Sequence, residues 1–117
     1  MKLGVIGLGR MGAAIALRAA QAGYCVLGFD PNVSIQKEMQ ESGIQIYESV
    51  DDLAREVDVV WLMVPAGKIV DDTLAKIVPV CKPGTIIVDG GNSNFNDSVR
   101  RAKELALKGL HFLDCGT

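Results

Sequence analysis

Histidine is nearly missing from this sequence of 117 residues, which has one, His111. It opens an apolar run far from any base or nucleophile partner, so a packed or surface role is favoured over catalysis. Cysteine is scarce as well. Cys25, Cys81 and Cys115 are odd in number, widely spaced and form no C-x-x-C, which argues against a disulfide framework and a zinc site. Each lies in or beside an apolar run and reads as a small buried hydrophobe, in keeping with a reducing cytoplasm. No apolar run approaches the ~20 residues of a membrane span, and the N-terminus lacks the long apolar stretch of a secretory signal. Nor is there an excess of one charge. Twelve basic residues stand against fourteen acidic ones, a net charge of −2, which gives no sign of nucleic-acid or membrane-surface binding. Repeats, linkers and low-complexity segments are absent, and the length suits one domain.

What the chain does have is glycine, and its placement is informative. Leu3, Val5 and Ile6 make a short apolar strand that runs into Gly7-Leu8-Gly9-Arg10-Met11-Gly12. This is G-x-G-x-x-G after a strand and before a helix, the arrangement a dinucleotide fold requires. Gly7 allows the tight turn, Gly9 lets main chain approach a pyrophosphate, and Gly12 lets helix and strand pack closely. The helix that follows, rich in alanine to about Ala22, directs its free N–H groups and positive dipole end at the phosphates. Arg10, inside the loop, is placed equally well for the pyrophosphate and for solvent.

Strands and helices then alternate. Cys25–Phe29 reads as a buried strand ending at Asp30, and Asn32 as the N-cap of a helix to Ser42 closed by Gly43. Ile44–Ile46 is a brief strand at a sheet edge, and Ser49 begins one or two helical turns. The near-continuous apolar run Asp58–Val64 has the signature of a central parallel strand, with Trp61 in the core. Pro65-Ala66-Gly67 breaks it, and a helix follows whose polar face carries Asp71, Asp72 and Lys76, a surface feature and not a metal site. Thr85–Val88 is another buried strand, stopping at Asp89-Gly90-Gly91-Asn92. Asn94 and Asp97 resemble a capping box for a helix to Lys108, with Phe95, Val99, Ala102 and Ala106 on one face and Arg100 and Arg101 solvated. His111–Asp114 is a last strand. The expectation is an α/β fold: a doubly wound, mostly parallel Rossmann sheet of about six strands with helices on both faces, spanning 1–117.

Three places carry candidate chemistry beyond the glycine loop. Asp30, eighteen residues past Gly12, ends the second strand, where a carboxylate accepts hydrogen bonds from the adenosine ribose. A 2′-phosphate would meet like charge there, and Pro31-Asn32 offers no arginine to receive it, so NAD is favoured over NADP. Its plain alternative is a turn aspartate before Pro31. Val64-Pro65-Ala66-Gly67 leaves its strand at the carboxyl end, where ligands sit in open α/β sheets. Asp89-Gly90-Gly91-Asn92-Ser93 combines two glycines with an amide that both donates and accepts.

G-L-G-R-M-G, M-V-P-A-G, D-G-G-N-S and F-L-D-C-G-T, in this order and spacing, resemble the cofactor domain of 6-phosphogluconate dehydrogenase, most closely its shorter, NAD-preferring branch. NADP-using members typically carry Asn-Arg-Thr where this chain has Asp30-Pro31-Asn32. The resemblance implies that Gly7, Leu8, Gly9, Arg10, Met11, Gly12 and Asp30 bind NAD, that Val64, Pro65 and Ala66 line it, and that Asn92 touches both nicotinamide ribose and sugar acid. It further implies a phosphorylated sugar acid as substrate, oxidative decarboxylation to ribulose 5-phosphate, and a homo-oligomeric full-length enzyme. The family's catalytic lysine and glutamate belong to a helical second domain that would lie beyond Thr117, which makes this chain the cofactor half and leaves it inactive alone. Two other classes stay open: a related β-hydroxyacid dehydrogenase, and a non-catalytic NAD-binding regulatory module.

Overall fold

The structure is a computed structural model and describes residues 1–91 and 93–115. Asn92, Gly116 and Thr117 lie outside the described residues. In chain order the elements are β1 (Lys2–Ile6), α1 (Arg10–Gln21), β2 (Cys25–Phe29), α2 (Val33–Glu41), β3 (Gln45–Ile46) and α3 (Val50–Glu56). Then come β4 (Val59–Leu62), α4 (Lys68–Ile77), a 3-10 turn (Val78–Val80), β5 (Ile86–Asp89), α5 (Phe95–Ala106) and β6 (His111–Asp114). The six strands form one sheet in the order β3-β2-β1-β4-β5-β6, and every pairing is parallel. This is the doubly wound order of dinucleotide-binding folds.

Period-two alternation on the strands builds both layers at once. Val5 and Val26 turn toward α1 and α2, where they pack with Ala16, Met39 and Leu8. Their neighbours Ile6 and Leu27 turn the other way and join Leu53 and Ala54 of α3, Val70, Leu74 and Ile77 of α4, and Leu105 of α5. The predicted N-caps form, although at α5 Asn94 bonds the Asn96 amide and not that of Asp97, as a capping box would require. The Asn32 side chain accepts from the Ser34 and Ile35 amides, Ser49 accepts from Asp52, and Asn94 from Asn96. Such caps each contribute about 1 kcal/mol.

The structure departs from the sequence pattern in three places. α5 buries Ser98, Arg101 and Leu105, whereas Phe95 is 75% exposed, Val99 37%, and Ala106 is also exposed. Of the apolar residues chosen from the sequence only Ala102 packs against the core; the others lie on the outward side, because the inward stripe contains a serine and an arginine. Trp61 is half-buried, its indole N–H directed at the Met63 sulfur at 3.1 Å. The cysteines are not uniformly buried: Cys25 and Cys115 are exposed and only Cys81 is partly covered. Cys25 begins its strand at the sheet rim, beside Lys2 in register.

Burial pushes the Cys81 thiol up to about 11, since a thiolate there would be poorly solvated. Brief alkylation at pH 8 followed by peptide mass spectrometry should therefore modify Cys25 and Cys115 and spare Cys81. Equal modification of all three would show that the 3-10 turn opens readily.

Candidate functional site at the carboxyl edge of the sheet

α1 leaves β1 toward one face of the sheet and α4 leaves β4 toward the other. The crevice between the carboxyl ends of these adjacent strands is where such sheets take ligands. Gly7, Asp30, Val64 and Asp89 are all brought to this edge by the parallel register. A cleft of about 360 Å³ there is lined by Gly7, Phe29, Pro31, Val64, Thr73 and Lys76 among others.

The three glycines of the loop have separable roles. Gly7 has φ +96, and a Cβ on it would stand 2.5 Å from the Met63 carbonyl oxygen. A Cβ on Gly12 would overlap the Gly7 carbonyl oxygen, so α1 sits directly on the turn. Gly9 is different: a Cβ there would meet nothing within 4 Å. Gly9 is the N-cap of α1 and places no side chain on the first-turn amides. Open space in front of uncapped helix amides fits a phosphate. Arg10 and Met11 begin α1 at its exposed end. The Leu8 side chain, by contrast, is buried in the core.

Asp30 is 9% exposed. Its Oδ2 accepts from the Leu8 amide at 2.9 Å, and its Oδ1 from the Asn32 amide at 2.9 Å. Gln36 Nε2 donates to its carbonyl oxygen at 2.6 Å. One carboxylate thus fixes the glycine loop, the turn after β2 and the start of α2. A carboxylate offers about four acceptor positions, and these two amides occupy two of them. The turn role and the ligand role are compatible.

Val64 is half-buried and lines the cleft, whereas Pro65 and Ala66 are exposed and do not line it. On the far side, β5 ends at Asp89, which is fully buried. Its Oδ1 accepts from the Gly91 amide at 3.0 Å, and its Oδ2 accepts from the Ser93 hydroxyl. A Cβ on Gly91 would stand 3.0 Å from the Val64 carbonyl oxygen, so the turns after β4 and β5 lie against each other. Asn92, the residue expected to face substrate, falls outside the described residues.

Arg101 corrects the sequence reading most sharply, being 1% exposed and not solvated. Its Nε donates to Asp71 Oδ1 at 2.9 Å, its Nη2 to the Gly67 carbonyl at 3.2 Å, and its Nη1 to the Ser93 hydroxyl at 3.3 Å. Nη1 also lies 3.9 Å from Asp89 Oδ2. The Arg101 hydrogen bond, with Arg100 adding to it, holds the Asp71 carboxyl below the usual carboxylate range. Arg101 is buried but Asp71 is 41% exposed, so solvent screens this pair and its loss costs less than that of a fully buried one. A signal existed in the sequence: Ser98, Arg101 and Leu105 share one helical stripe. Arg100 remains half-exposed, paired with Asp71 and Glu104. Among the described residues no cluster of potential metal ligands occurs, and no helix is long and apolar enough to cross a membrane.

Comparison with known proteins places these observations. The family model of the NAD binding domain of 6-phosphogluconate dehydrogenase matches residues 2–117. The NAD(+)-dependent, decarboxylating 6-phosphogluconate dehydrogenase of Haloferax volcanii is 42% identical over all of this chain, which covers 39% of that protein. Among solved structures, 3-hydroxyisobutyrate dehydrogenase of Mycobacterium tuberculosis superposes with a TM-score of 0.91 at 26% identity, over 97% of this chain and 39% of that one. The 6-phosphogluconate dehydrogenase of Plasmodium falciparum, solved with its cofactor NADP+ and its substrate 6-phosphogluconate, gives 0.88 at 27%, over 99% and 27%. The chain therefore spans about two-fifths or less of the length of these relatives.

Proposed function

The chain belongs to the family of NAD-binding domains of 6-phosphogluconate dehydrogenase, and from that premise we propose that it is the cofactor-binding half of an NAD-dependent enzyme that oxidatively decarboxylates 6-phosphogluconate to ribulose 5-phosphate. The observation that carries the reading is the combination of open space at Gly9, uncapped α1 amides and Asp30 at one switch point. In this reading the loop Gly7–Gly12 and the α1 amides hold the pyrophosphate. Asp30 receives the adenosine ribose, and the cleft beside Pro31, Val64 and Lys76 takes the adenine. Val64, Pro65 and Ala66 flank the nicotinamide ribose, and Asn92 reaches both that ribose and the sugar acid.

When bound, NAD supplies the hydride acceptor for oxidation of the C3 hydroxyl. The residues of this chain bind and orient; the lysine that takes the hydroxyl proton and the glutamate that protonates the enediol after loss of CO2 belong to a second, helical domain. The substrate is accordingly a phosphorylated sugar acid, and the complete enzyme a cytoplasmic homo-oligomer. A β-hydroxyacid dehydrogenase of another substrate shares the fold, but the D-G-G-N turn favours the sugar acid.

The purified chain should bind NADH in a fluorescence titration and produce no NADH from NAD and 6-phosphogluconate. Failure to bind would overturn the cofactor reading. Turnover by the chain alone would overturn the assignment of acid–base chemistry to another domain.

A further inference from the structure

We infer that Arg101 is a positioning residue for the nicotinamide side of the crevice, locking the turn after β4 to the turn after β5 so that the two present one rigid wall. The inference rests on the dinucleotide reading of the site. Arg101 itself faces no ligand space, since its side chain is 1% exposed. Its three nitrogens reach three acceptors on two segments, the start of α4 and the turn after β5. Nε holds Asp71 on α4, Nη2 holds the carbonyl of Gly67 at the start of α4, and Nη1 holds Ser93 past β5. Ser93 and the Gly91 amide are both bonded to Asp89. A continuous hydrogen-bonded path therefore runs from the Gly67 carbonyl to the Gly91 amide through one guanidinium.

Packing alone does not account for an arginine here. α5 already buries Leu105 in the same core cluster as Phe112 and Ile87, and apolar residues in place of both members of a buried ion pair often cost no stability. What an apolar residue lacks is the planar fork that fixes three acceptors at set directions. Lysine, a flexible point charge, lacks it too. Gly67 adds to the case. At φ 89 and ψ −133 it adopts a glycine-favouring conformation, and Arg101 bonds the carbonyl that this conformation orients. The sheet order places the turn after β5 on the half of the sheet away from Asp30, and of the turn after β4 only Val64 borders the cleft proposed for adenine, so the adenosine side should sense their alignment much less than the nicotinamide side.

The test compares wild type, Arg101→Lys, Arg101→Met and Asp71→Asn in the 117-residue chain, titrated with NADH and with ADP, which probes the adenosine half alone. Hydrogen exchange without ligand and melting temperature are read in parallel. Both Arg101 variants should lose about tenfold in NADH affinity, lysine giving no rescue, while ADP affinity stays within about twofold. The Gly91 amide should exchange faster in both. Asp71→Asn, on a partly exposed carboxylate, should fold normally and show the same selective loss, about threefold. Losses of NADH and ADP affinity that run in parallel would overturn the inference, making Arg101 a general support of the fold. Unchanged NADH affinity in folded variants would overturn it as well. If neither Arg101 variant folds, an unchanged NADH-to-ADP ratio in Asp71→Asn does so. Wild type that binds neither probe would instead sink the dinucleotide reading.

Discussion

Gly9→Ala should leave the fold intact and remove most of the affinity for NAD, whereas Gly12→Ala should undo the fold itself. A methyl at Gly9 meets nothing within 4 Å, and its φ of −65 with extended ψ suits alanine. Melting temperature should therefore hardly move. The methyl would, however, occupy the space in front of the α1 amides. Pushing a pyrophosphate away from two charge-assisted hydrogen bonds forfeits about 3 kcal/mol, roughly a hundredfold in affinity. At Gly12 the methyl would overlap the Gly7 carbonyl oxygen, a main-chain atom held in turn by the tight β1 exit. No rotamer relieves that clash, so α1 must shift off the sheet. Overpacking against backbone at this point should cost about 3 kcal/mol or more, a large share of the stability of a small domain. Thermal melting and NADH titration of the two variants give the answer. Normal folding of Gly12→Ala would mean that α1 does not depend on its close seat on the turn; unchanged affinity in Gly9→Ala would mean that the phosphates do not approach there.

The same pair shows what a sequence can and cannot reveal. The fold was legible because local chemistry marks it. Glycines at positive φ stop α1 and α2 at Gly23 and Gly43, side chains of Asn32, Ser49 and Asn94 start helices, and alternation on β1 and β2 addresses two faces. Asp30 was legible as a position, but not in full. Its bond to the Leu8 amide spans twenty-two residues, and no local pattern reports such a partner. Arg101 was misread for the same reason more strongly. Its acceptors at Asp71 and Gly67 lie thirty and thirty-four residues away, and a charged residue on a helix reads as solvated until those acceptors are known. The exposed Phe95 and Val99 then drew the apolar face of α5 to the wrong side. Buried charge is the feature that hydrophobic pattern misses, and here it sits beside the site.

The chain should bind NAD at least tenfold more tightly than NADP, about 1.4 kcal/mol, with Asp30 as the main cause. Its carboxylate accepts from the Leu8 and Asn32 amides and retains acceptor positions for the two ribose hydroxyls. NADP removes one of those donors and sets a phosphate against a carboxylate that the loop holds in place. Asp30→Asn with Pro31→Arg should narrow or reverse the preference: the repulsion goes, and a guanidinium at the exposed position 31, which lines the cleft, can pair with the phosphate. The structure adds a cost. Asparagine has one acceptor oxygen, so its NH2 must face either the Leu8 or the Asn32 amide, and a lost buried bond of this kind costs about 1–3 kcal/mol. The double variant should therefore melt several degrees lower while favouring NADP, and Pro31→Arg alone should raise NADP affinity without that loss. Paired titrations and melting curves for the two variants separate these effects. Equal affinity of the wild type for both cofactors would show that the acceptor capacity of Asp30 is spent on the loop, and that the choice between cofactors is made elsewhere in the crevice.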